Sequence, residues 1–360
     1  MASKNTALNA AAKAKQDEFY TQLSDIEKEM RYYRKHFKSK TVFCNCDDPF
    51  ESNFFKFFVL NFNKLGLKKL ICTCYAGSPI ANQQLSLFDV IELGEENKPY
   101  KAIITTVYDK TGDGMLDMED IKELFRSGEN ELTELEGDGD FSSPECLALM
   151  DEADIVVTNP PFSLFRKYMA TLISRKKSFI IIGNQNAAHY KEIFPLLREG
   201  KVWLGYNHVK EFIIPDGTIK KFGNVLWYTN LDIKKRHEEM ILVKKYCSED
   251  YPKYINYDAI DVNKVANIPY DYPGKMGVPD GFLETYNPSQ FEIIGLAESS
   301  LGQEIGFSSN LTEEECAALF KENKSFRRGN PIYRGIDGKL HKPFARIIIR
   351  NKHPEINKEK

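Results

Sequence analysis

Apolar runs and amphipathic stretches alternate along the first part of the chain. Short apolar runs predict strands at residues 41–46, 69–74, 155–158 and 178–183. Amphipathic stretches predict helices at residues 23–33, 52–65, 163–173 and around 189–198, and Gly66 closes the second of them. Strands that alternate with helices in this way are typical of a parallel sheet. The pattern therefore predicts an α/β fold with a doubly wound, Rossmann-like sheet.

Residues 76–150 interrupt this alternation. They are acidic and contain glycines, with one strand-like stretch at 101–107, so we interpret them as an acidic insertion. Later segments predict hairpin strands at 202–204, 211–214 and 224–229, and further strands at 291–296 and 345–349. We therefore predict a first domain over residues 1–230, with the insertion at 76–150, and a second region over residues 231–360.

Length and composition agree with two such regions. A chain of 360 residues exceeds the ~250–300 residues at which a single core stops growing. No apolar run reaches the ~18 residues that span a bilayer, and the N-terminal stretch lacks the apolar core of a signal peptide. We therefore expect a soluble, cytoplasmic protein without membrane association, whose seven cysteines are reduced thiols.

The net charge of −3 does not by itself indicate a nucleic-acid-binding protein. Charge is unevenly distributed, however, because residues 325–352 hold five arginines and several lysines. Within this stretch, Arg327 and Arg328 are the candidates for contacting phosphate groups. A solvated basic surface would produce the same local charge pattern.

The residues Asn159, Pro160, Pro161 and Phe162 follow directly on the predicted strand at 155–158. The side-chain carbonyl of Asn159 and a backbone carbonyl near Pro160 can accept N–H bonds from an exocyclic amino group of a nucleobase. Such bonds localise a lone pair that the ring otherwise delocalises. Two prolines stiffen the turn, and Phe162 can stack on a base taken out of the duplex. The alternative is an ordinary strand-ending turn, but the carboxyl end of a parallel strand is where open α/β sheets bind ligands.

A second group of polar residues follows the first predicted strand. Asp47 and Asp48 precede Pro49, and Ser52 and Asn53 begin the next helix. A carboxylate at this place can bind an ammonium group or a ribose hydroxyl, and a helix N-terminus can receive a carboxylate. S-adenosylmethionine carries all of these groups. An Asx turn that caps a helix would give the same pattern.

Together these motifs resemble those of the amino-group DNA methyltransferases, whose signatures include an Asp-Pro-Phe turn and an Asn-Pro-Pro-Phe turn. Phe19, Tyr20 and Thr21 resemble a segment that packs on the cofactor in adenine methyltransferases, although Gln22 stands in place of the proline. Asp140 and Phe141 match a pair placed against the adenine ring of the cofactor. Three longer stretches, CNCDDPFESNFFKFF, PGKMGVPDGFL and FEIIGLA, resemble the EcoRI-type adenine-specific methyltransferases across nearly the whole chain.

This resemblance implies a site-specific adenine N6-methyltransferase that uses S-adenosylmethionine and acts on duplex DNA, in a restriction-modification or phage context. It implies a catalytic domain over 1–230, a target-recognition region over 231–360, and a possible cognate restriction endonuclease as a partner. The chain departs from the family where Ser52, Asn53 and Phe54 replace a Gly-Ser-Gly turn and where Cys74 and Tyr75 replace a ribose-binding acid. An inactive nucleic-acid-binding protein, or an RNA or protein-glutamine methyltransferase, remains the alternative.

We expect no metal site. Residues 109–120 approximate a calcium-binding loop, but Asp120 is too short for the twelfth position and a strand-like stretch precedes the loop, so an Asp-rich turn that caps a helix is favoured. The pairs Cys44 and Cys46, and Cys72 and Cys74, lie on predicted neighbouring strands, where cysteines are usually small core residues. Trp227 and Tyr228 could line the pocket for a flipped base or belong to the core.

Overall fold

The computed structural model describes residues 20–45, 52–74, 99–213 and 218–355. The chain divides into two compact units, residues 1–188 with 204–231, and residues 189–203 with 232–360. The first unit holds a mixed nine-stranded sheet, so the mixed α/β class predicted from the sequence is confirmed. Among the described residues, no helix has both the length and the apolar character needed to span a membrane.

In chain order the strands of this sheet are β1 (Tyr20–Thr21), β2 (Thr41–Cys44), β3 (Lys69–Thr73), β4 (Tyr100–Ile104), β5 (Glu131–Glu134), β6 (Ile155–Thr158), β7 (Ser178–Asn184), β8 (Trp203–Ile213) and β9 (Ile219–Thr229). Across the sheet the strands lie in the order β1, β8, β9, β7, β6, β2, β3, β4, β5.

Four parallel strands form the centre of the sheet. β2 pairs in parallel with both β3 and β6, and β6 pairs in parallel with β7. The connection after β2 therefore leads to one side of the sheet and the connection after β6 leads to the other. This reversal makes the carboxyl ends of β2 and β6 a topological switch point, the place where open α/β sheets bind ligands. Every residue of β2 and β6 is buried.

The first unit contains helices in the predicted amphipathic stretches and further helices outside them. They are α1 (Leu23–Met30), α2 (Arg34–Phe37), α3 (Asn53–Leu60), α4 (Phe62–Leu65), α5 (Met118–Arg126), α6 (Pro144–Glu152) and α7 (Phe165–Ser174). The single helix predicted at 52–65 is divided at Asn61, whose φ of −105° and ψ of 10° end α3. Gly66 closes α4 in the left-handed conformation with φ 64°, as its position after the last apolar residue indicates.

Several other helices and strands have bounds that differ from those predicted from the sequence. The helix predicted at 23–33 ends at Met30, and the helix predicted around 189–198 is only α8 (Phe194–Arg198). The three short strands predicted between 202 and 229 are two strands of 11 residues, β8 and β9. Residues 100–134 add β4 and β5 as antiparallel strands at one edge of the sheet.

The second unit holds a four-stranded sheet in the order β10, β11, β15, β12 and a separate pair of strands, β13 and β14. These strands are β10 (Ile260–Asp261), β11 (Lys275–Val278), β12 (Phe291–Ala297), β13 (Tyr333–Arg334), β14 (Leu340–His341) and β15 (Arg346–Asn351). The predicted strands at 291–296 and 345–349 are β12 and β15, which pair antiparallel. Helices α9 (Ser299–Glu304) and α10 (Glu313–Glu322) follow β12.

Candidate active site

Asn159 lies directly after β6 at the switch point of the sheet. Its side chain is buried, with 7% of the residue exposed. The following backbone forms a tight turn, because the N–H of Leu164 donates to the carbonyl of Pro161 at 2.9 Å. The turn uses the Pro161 carbonyl, and the backbone acceptor near Pro160 stays a prediction. The sequence therefore places two candidate acceptors, one side chain and one backbone, on a stiff segment.

Phe162 begins the short 3₁₀ helix that joins this turn to α7. Its ring is half-buried and meets the edge of the Phe212 ring, with centroids 6.3 Å apart at 85°. Phe165 is fully buried and packs against β7 at Gly183, where a Cβ atom would lie 2.4 Å from the Phe165 ring. The glycine thus permits the close approach that fixes the start of α7 after the Asn-Pro-Pro-Phe turn.

Asn45 connects the ends of β2 and β6. The Thr158 hydroxyl donates to the backbone carbonyl of Asn45, and the Tyr168 hydroxyl donates to the Asn45 side-chain oxygen. All three residues are fully buried or nearly so. The residues that flank the two predicted motifs are therefore held together by hydrogen bonds that cross more than a hundred residues of sequence.

Tyr168 also contacts the loop that contains Asp140 and Phe141. The rings of Phe141 and Tyr168 lie 4.9 Å apart at 63°, and the ammonium of Lys167 lies 5.0 Å from the centroid of the Phe141 ring. The structure thus brings Phe141 to the network below Asn159. Sequence reasoning missed Tyr168. Its place in the apolar spacing of α7 marks it as a core residue, but that spacing says nothing about its hydroxyl.

Asp140 keeps its carboxylate partly exposed at the start of this loop. Its oxygen Oδ1 accepts from the backbone N–H of Ser142 at 2.7 Å and from the Ser142 hydroxyl. Burial raises the pKa of Asp140, but the hydrogen bonds from Ser142 and the positive charge of Lys167 outweigh it, so the pKa lies below its usual value. The carboxylate therefore stays charged at neutral pH and can accept further hydrogen bonds.

The loop that precedes Asp140 touches the end of β3. Gly139 has φ 78°, and a Cβ atom on it would lie 2.1 Å from the carbonyl oxygen of Cys74. Only glycine allows this approach of two backbone segments. Cys74 itself is buried, and its sulfur accepts from the N–H of Tyr100 at 3.4 Å. The loop is thereby fixed at the place where a ribose-binding acid stands in the family that the sequence resembles.

Thr21 lies beside the N-terminus of α3. The side-chain amide of Asn53 donates to the backbone carbonyl of Thr21 at 2.8 Å, and β1 pairs with β8 through Thr21 and Phe212. Ser52 accepts from the N–H of Phe54 at 3.1 Å and so caps α3. Ser52 therefore supplies the cap of α3, and Asn53 joins two of the predicted cofactor-binding segments.

Glu29 holds α1 against β8. This fully buried carboxylate accepts hydrogen bonds of 2.8–2.9 Å from the Tyr33 hydroxyl, from the backbone N–H groups of Tyr206 and Asn207, and from the Asn207 side chain. Burial raises the pKa of Glu29, and the hydrogen bonds offset this only in part. Because β1 directly precedes α1, this contact keeps the segment that contains Thr21 on the sheet. Sequence reasoning missed it, since one acid in an amphipathic helix is usually exposed.

Trp227 and Tyr228 are both 0% exposed. Trp227 packs edge to face on Phe54, with centroids 6.0 Å apart, and the Tyr228 hydroxyl donates to the carbonyl of Asn184 at 2.9 Å. Residues without exposed surface cannot stack on an incoming base unless the core opens. The structure therefore favours the core role over the base-pocket role.

The two C-terminal arginines lie in the second unit. Arg328 forms an ion pair with Glu313, and Arg327 donates to the carbonyls of Lys324 and Phe326 at 3.0 and 2.6 Å. Arg327 also lies 5.4 Å from the centroid of the Phe320 ring. Their role in binding DNA stays a prediction.

The loop that resembles a calcium site is held by its own backbone. Asp120 accepts from the N–H groups of Lys110, Thr111 and Asp117 at 2.9 Å, and Asp109 accepts from those of Gly112 and Gly114. Asp117 and Asp120 form a capping box at the start of α5. The Asp-rich turn that caps a helix is therefore what the structure contains.

Metal-ligand groupings are not seen in the described parts of the chain, where no three His, Cys, Asp or Glu side chains come together in the manner of a metal site. Cys44 and Cys72 are opposite each other on β2 and β3 and are buried core residues. Cys46, the remaining member of the two pairs, lies outside the described residues.

Several predicted cofactor-binding residues also lie outside the described residues, namely Phe19, Asp47, Asp48 and Pro49. Tyr20 is described only by its place in β1. The described neighbours of these residues do fit a polar cofactor. The Thr21 hydroxyl and the Asn45 side-chain nitrogen are buried and have no hydrogen-bond partner among the described residues. Buried polar atoms of this kind usually have partners, so both are suited to contact polar groups of a bound cofactor.

Comparison with known proteins identifies the family. The family model described as adenine-specific methyltransferase EcoRI matches residues 7–352. The chain is 46% identical to the type II methyltransferase M.EcoRI of Escherichia coli, with 97% of each chain covered. It is 37% identical to M.MgeORF184P of Mycoplasma genitalium and 36% identical to M.MpnI of Mycoplasma pneumoniae, both type II methyltransferases, over 79% of this chain and 84% of each relative. No solved structure gives a significant match.

The family model covers nearly the whole chain, and its match includes both motif turns and the network of Asn45, Thr158 and Tyr168 that joins them. The chain therefore belongs to the family of EcoRI adenine-specific methyltransferases.

Proposed function

We propose that the protein transfers a methyl group from S-adenosylmethionine to N6 of an adenine in duplex DNA, as the modification enzyme of a type II system. Family membership supports the reaction class. The observation that carries the assignment to this site is the position of Asn159, buried in a stiff turn at the switch point of the sheet. An adenine amino group is a weak nucleophile that needs acceptors held in fixed positions.

Catalysis in this proposal is largely geometric. The Asn159 side-chain oxygen and the Pro160 carbonyl each accept one N–H bond from the amino group, which directs its lone pair out of the plane of the base. Preorganised acceptors lose little energy to reorganisation, and the hydrogen bonds around Asn45 keep the turn fixed. S-adenosylmethionine supplies a methyl group that is already activated on sulfur. The chain therefore needs no acid or base to activate the methyl group.

Phe162 is the proposed stacking partner of the flipped adenine. Its ring is half-buried and packs edge to face on Phe212, which holds it beside the Asn-Pro-Pro turn. Base–aromatic stacking contributes about 1–3 kcal/mol. This contribution compensates for part of the energy that is lost when the base leaves the helical stack.

The proposed cofactor site lies along the carboxyl ends of β2 and β3. It includes Thr21, Ser52 and Asn53 at the N-terminus of α3, and Asp140 with Phe141, whose ring packs on Tyr168. Phe19, Tyr20, Asp47, Asp48 and Pro49 complete the proposed set. Asn45, which sequence reasoning did not identify, joins the set because its buried side-chain nitrogen lacks an acceptor among the described residues.

The finer domain assignments are also part of the proposal. We infer that residues 1–230 are the catalytic domain, that residues 76–150 are an insertion, and that residues 231–360 read the DNA target. Arg327 and Arg328 are proposed to contact DNA. We also propose a cognate restriction endonuclease as partner and a cytoplasmic location, and the type II names of the relatives support both.

Cofactor titration and methyl transfer test the proposal together. Isothermal titration should show saturable binding of S-adenosylmethionine, and labelled methyl should pass to duplex DNA rather than to RNA or protein. Transfer to a protein glutamine would instead assign the Asn-Pro-Pro turn to another amide substrate. Absence of cofactor binding would support an inactive nucleic-acid-binding protein.

A further inference from the structure

Strand β9 is longer than its neighbour β7. It pairs with β7 only over its last five residues, and the final pair joins Val225 to Asn184 at the carboxyl end of β7. Residues 219–224 continue past this end by up to roughly 20 Å, at ~3.3 Å per residue. β6 is the parallel neighbour of β7, so its carboxyl end, which leads to Asn159, lies at the same edge. This β9 extension, residues 219–224, therefore projects from the edge of the sheet that carries the candidate active site.

The two faces of β9 meet different helices. Tyr228 packs against Phe165 of α7, with ring centroids 5.1 Å apart. Trp227 packs against Phe54 of α3, with centroids 6.0 Å apart. Because side chains alternate between faces along a strand, the even-numbered residues of the β9 extension share the face of α7, and the odd-numbered residues share the face of α3. The Asn-Pro-Pro-Phe turn leads directly into α7, so the even-numbered face is the one beside this turn.

A line of aromatic contacts leads along this face from the turn to Lys220. The ring of Phe162 meets that of Phe212, and the rings of Phe212 and Phe222 have centroids 5.6 Å apart. The ammonium of Lys220 lies 5.3 Å from the centroid of the Phe222 ring. Phe212 and Phe222 are buried, whereas Lys220 is exposed. Lys220 therefore lies two rings away from the side chain that is proposed to stack on the target base.

Lys210 adds a second positive charge to the same face. It precedes Phe212 by two residues on β8, so the two side chains lie on the same side of the strand. Lys210 is exposed, and among the described residues it forms no hydrogen bond or ion pair. Its ammonium group can therefore bind an anion without first leaving a carboxylate.

The opposite face of the two strands holds their one carboxylate. Lys221 forms an ion pair with Glu211 at 3.2 Å, and the side-chain amide of Gln22 donates to Glu211 at 3.4 Å. The hydrogen bonds from Lys221 and Gln22 lower the pKa of Glu211, so this carboxylate stays charged at neutral pH. Glu211 is the only acid in the sequences of β8 and β9. The carboxylate of the two strands therefore binds Lys221, while Lys210 and Lys220 lie on the face beside the Asn-Pro-Pro-Phe turn.

We propose that Lys210 and Lys220 contact phosphate groups of the DNA backbone close to the target base. The inference rests on the proposed function, because the adenine bound at Phe162 brings the backbone to this face. Duplex DNA carries one negative charge per about 1.7 Å of its axis, so a duplex held at Phe162 presents several phosphates within the length of the β9 extension. A lysine is a flexible point charge that suits such contacts. Contacts of this kind position the protein on the duplex without reading its sequence.

Two neighbouring lysines provide a matched test. Lys220→Gln and Lys221→Gln each remove one positive charge from adjacent exposed positions of β9, but only the first removes it from the face beside the turn. Lys210→Gln removes a charge from the same face on β8, so it tests that face independently. Lys220→Arg keeps the charge. All of these side chains are exposed, so melting temperatures should stay close to that of wild type.

DNA binding should be measured as log K against log salt, with a target duplex that the wild-type protein methylates and with a scrambled duplex of the same length. We expect the slope to become shallower by ~0.9 in Lys220→Gln and in Lys210→Gln, and by about 1.8 when the two are combined. The affinity advantage of wild type over the combined variant should then shrink roughly tenfold between about 50 and 200 mM salt. Target and scrambled duplexes should respond alike, and Lys220→Arg and Lys221→Gln should keep the wild-type slope.

Equal slopes and affinities for Lys220→Gln and Lys221→Gln would show that the two faces do not differ in DNA binding, and would overturn the inference. An effect confined to the target duplex would also overturn it, because it would assign the lysines to base recognition. Failure of the proposed function would look different, since wild-type protein would then neither bind nor methylate duplex DNA. Wild-type protein that methylates DNA while the Lys210 and Lys220 variants keep its slope would contradict only this inference.

Discussion

The hydroxyl of Tyr168 offers a direct test of the network that joins the two motif turns. Tyr168→Phe removes the donor to the Asn45 side-chain oxygen and keeps the ring, so the contact with Phe141 at 4.9 Å is retained. The variant leaves a buried acceptor without its donor, which costs about 1–3 kcal/mol. We expect the melting temperature to fall by several degrees, at about 2–4 °C per kcal/mol for a unit of this size.

The effect on turnover decides between a structural role and a positioning role. Asn45 accepts hydrogen bonds from the hydroxyls of both Tyr168 and Thr158, and Asn159 is the next residue after Thr158. If the network fixes the catalytic turn, its loosening should lower kcat by roughly tenfold or more, since small displacements of reacting groups are costly. Cofactor affinity should fall as well, because Asn45 lies in the proposed cofactor site.

Tyr251→Phe is the matched control. Its hydroxyl donates to the backbone carbonyl of Asn267 at 2.8 Å and is mostly buried, but it lies in the second unit. Melting curves, kcat at saturating DNA and titration of S-adenosylmethionine should be measured for both variants. If Tyr168→Phe loses stability as Tyr251→Phe does but keeps normal turnover and cofactor affinity, the positioning role of the network is refuted.

Three further predictions concern the surroundings of the site. Gly183→Ala would place a Cβ atom 2.4 Å from a buried ring, so we expect about 1–3 kcal/mol of destabilisation and reduced turnover, whereas Gly137→Ala, with open space around it, should be neutral in melting and activity assays. Glu29 has a raised pKa, so the folded state binds its proton more tightly than the unfolded state does. The contribution of Glu29 to the free energy of unfolding should therefore decrease as pH rises from the ordinary glutamate pKa to the raised one. Denaturation of wild type and Glu29→Gln across acidic pH should show this decrease only in wild type. Asp48→Ala should weaken cofactor binding by about 1.5–3 kcal/mol in calorimetry, and an equal effect of Asp47→Ala would contradict the assignment of Asp48.

The central strands could be predicted from sequence because their burial is continuous. Residues 155–157 are all β-branched and apolar, and the strand predicted at 155–158 has the same bounds in the structure. β8 and β9 were harder to predict, since several of their residues are exposed and the apolar pattern is broken. A run of exposed residues such as 219–221 carries no periodic signal, although it belongs to β9.

Long-range polar contacts could not be predicted. Nothing in the local sequence of Asn45 indicates that it accepts a hydrogen bond from Tyr168, because the two residues come together only when β2 and α7 pack on the sheet. The ion pair of Arg328 with Glu313 has the same origin, since sequence shows the charge but not its partner. Motifs therefore suggested the candidate site residues, whereas the contacts that hold these residues became visible only in the fold.

The most direct test of the central claim is the identity of the methylated base in duplex DNA treated with the protein and S-adenosylmethionine. Nucleoside digestion and mass spectrometry should detect N6-methyladenine with the wild-type protein. Asn159→Ala should keep cofactor affinity and lower the rate of its formation by roughly 10²-fold or more, while Asn159→Asp should retain some activity through its remaining acceptor oxygen. Detection of another methylated base, or a normal rate with Asn159→Ala, would contradict the account.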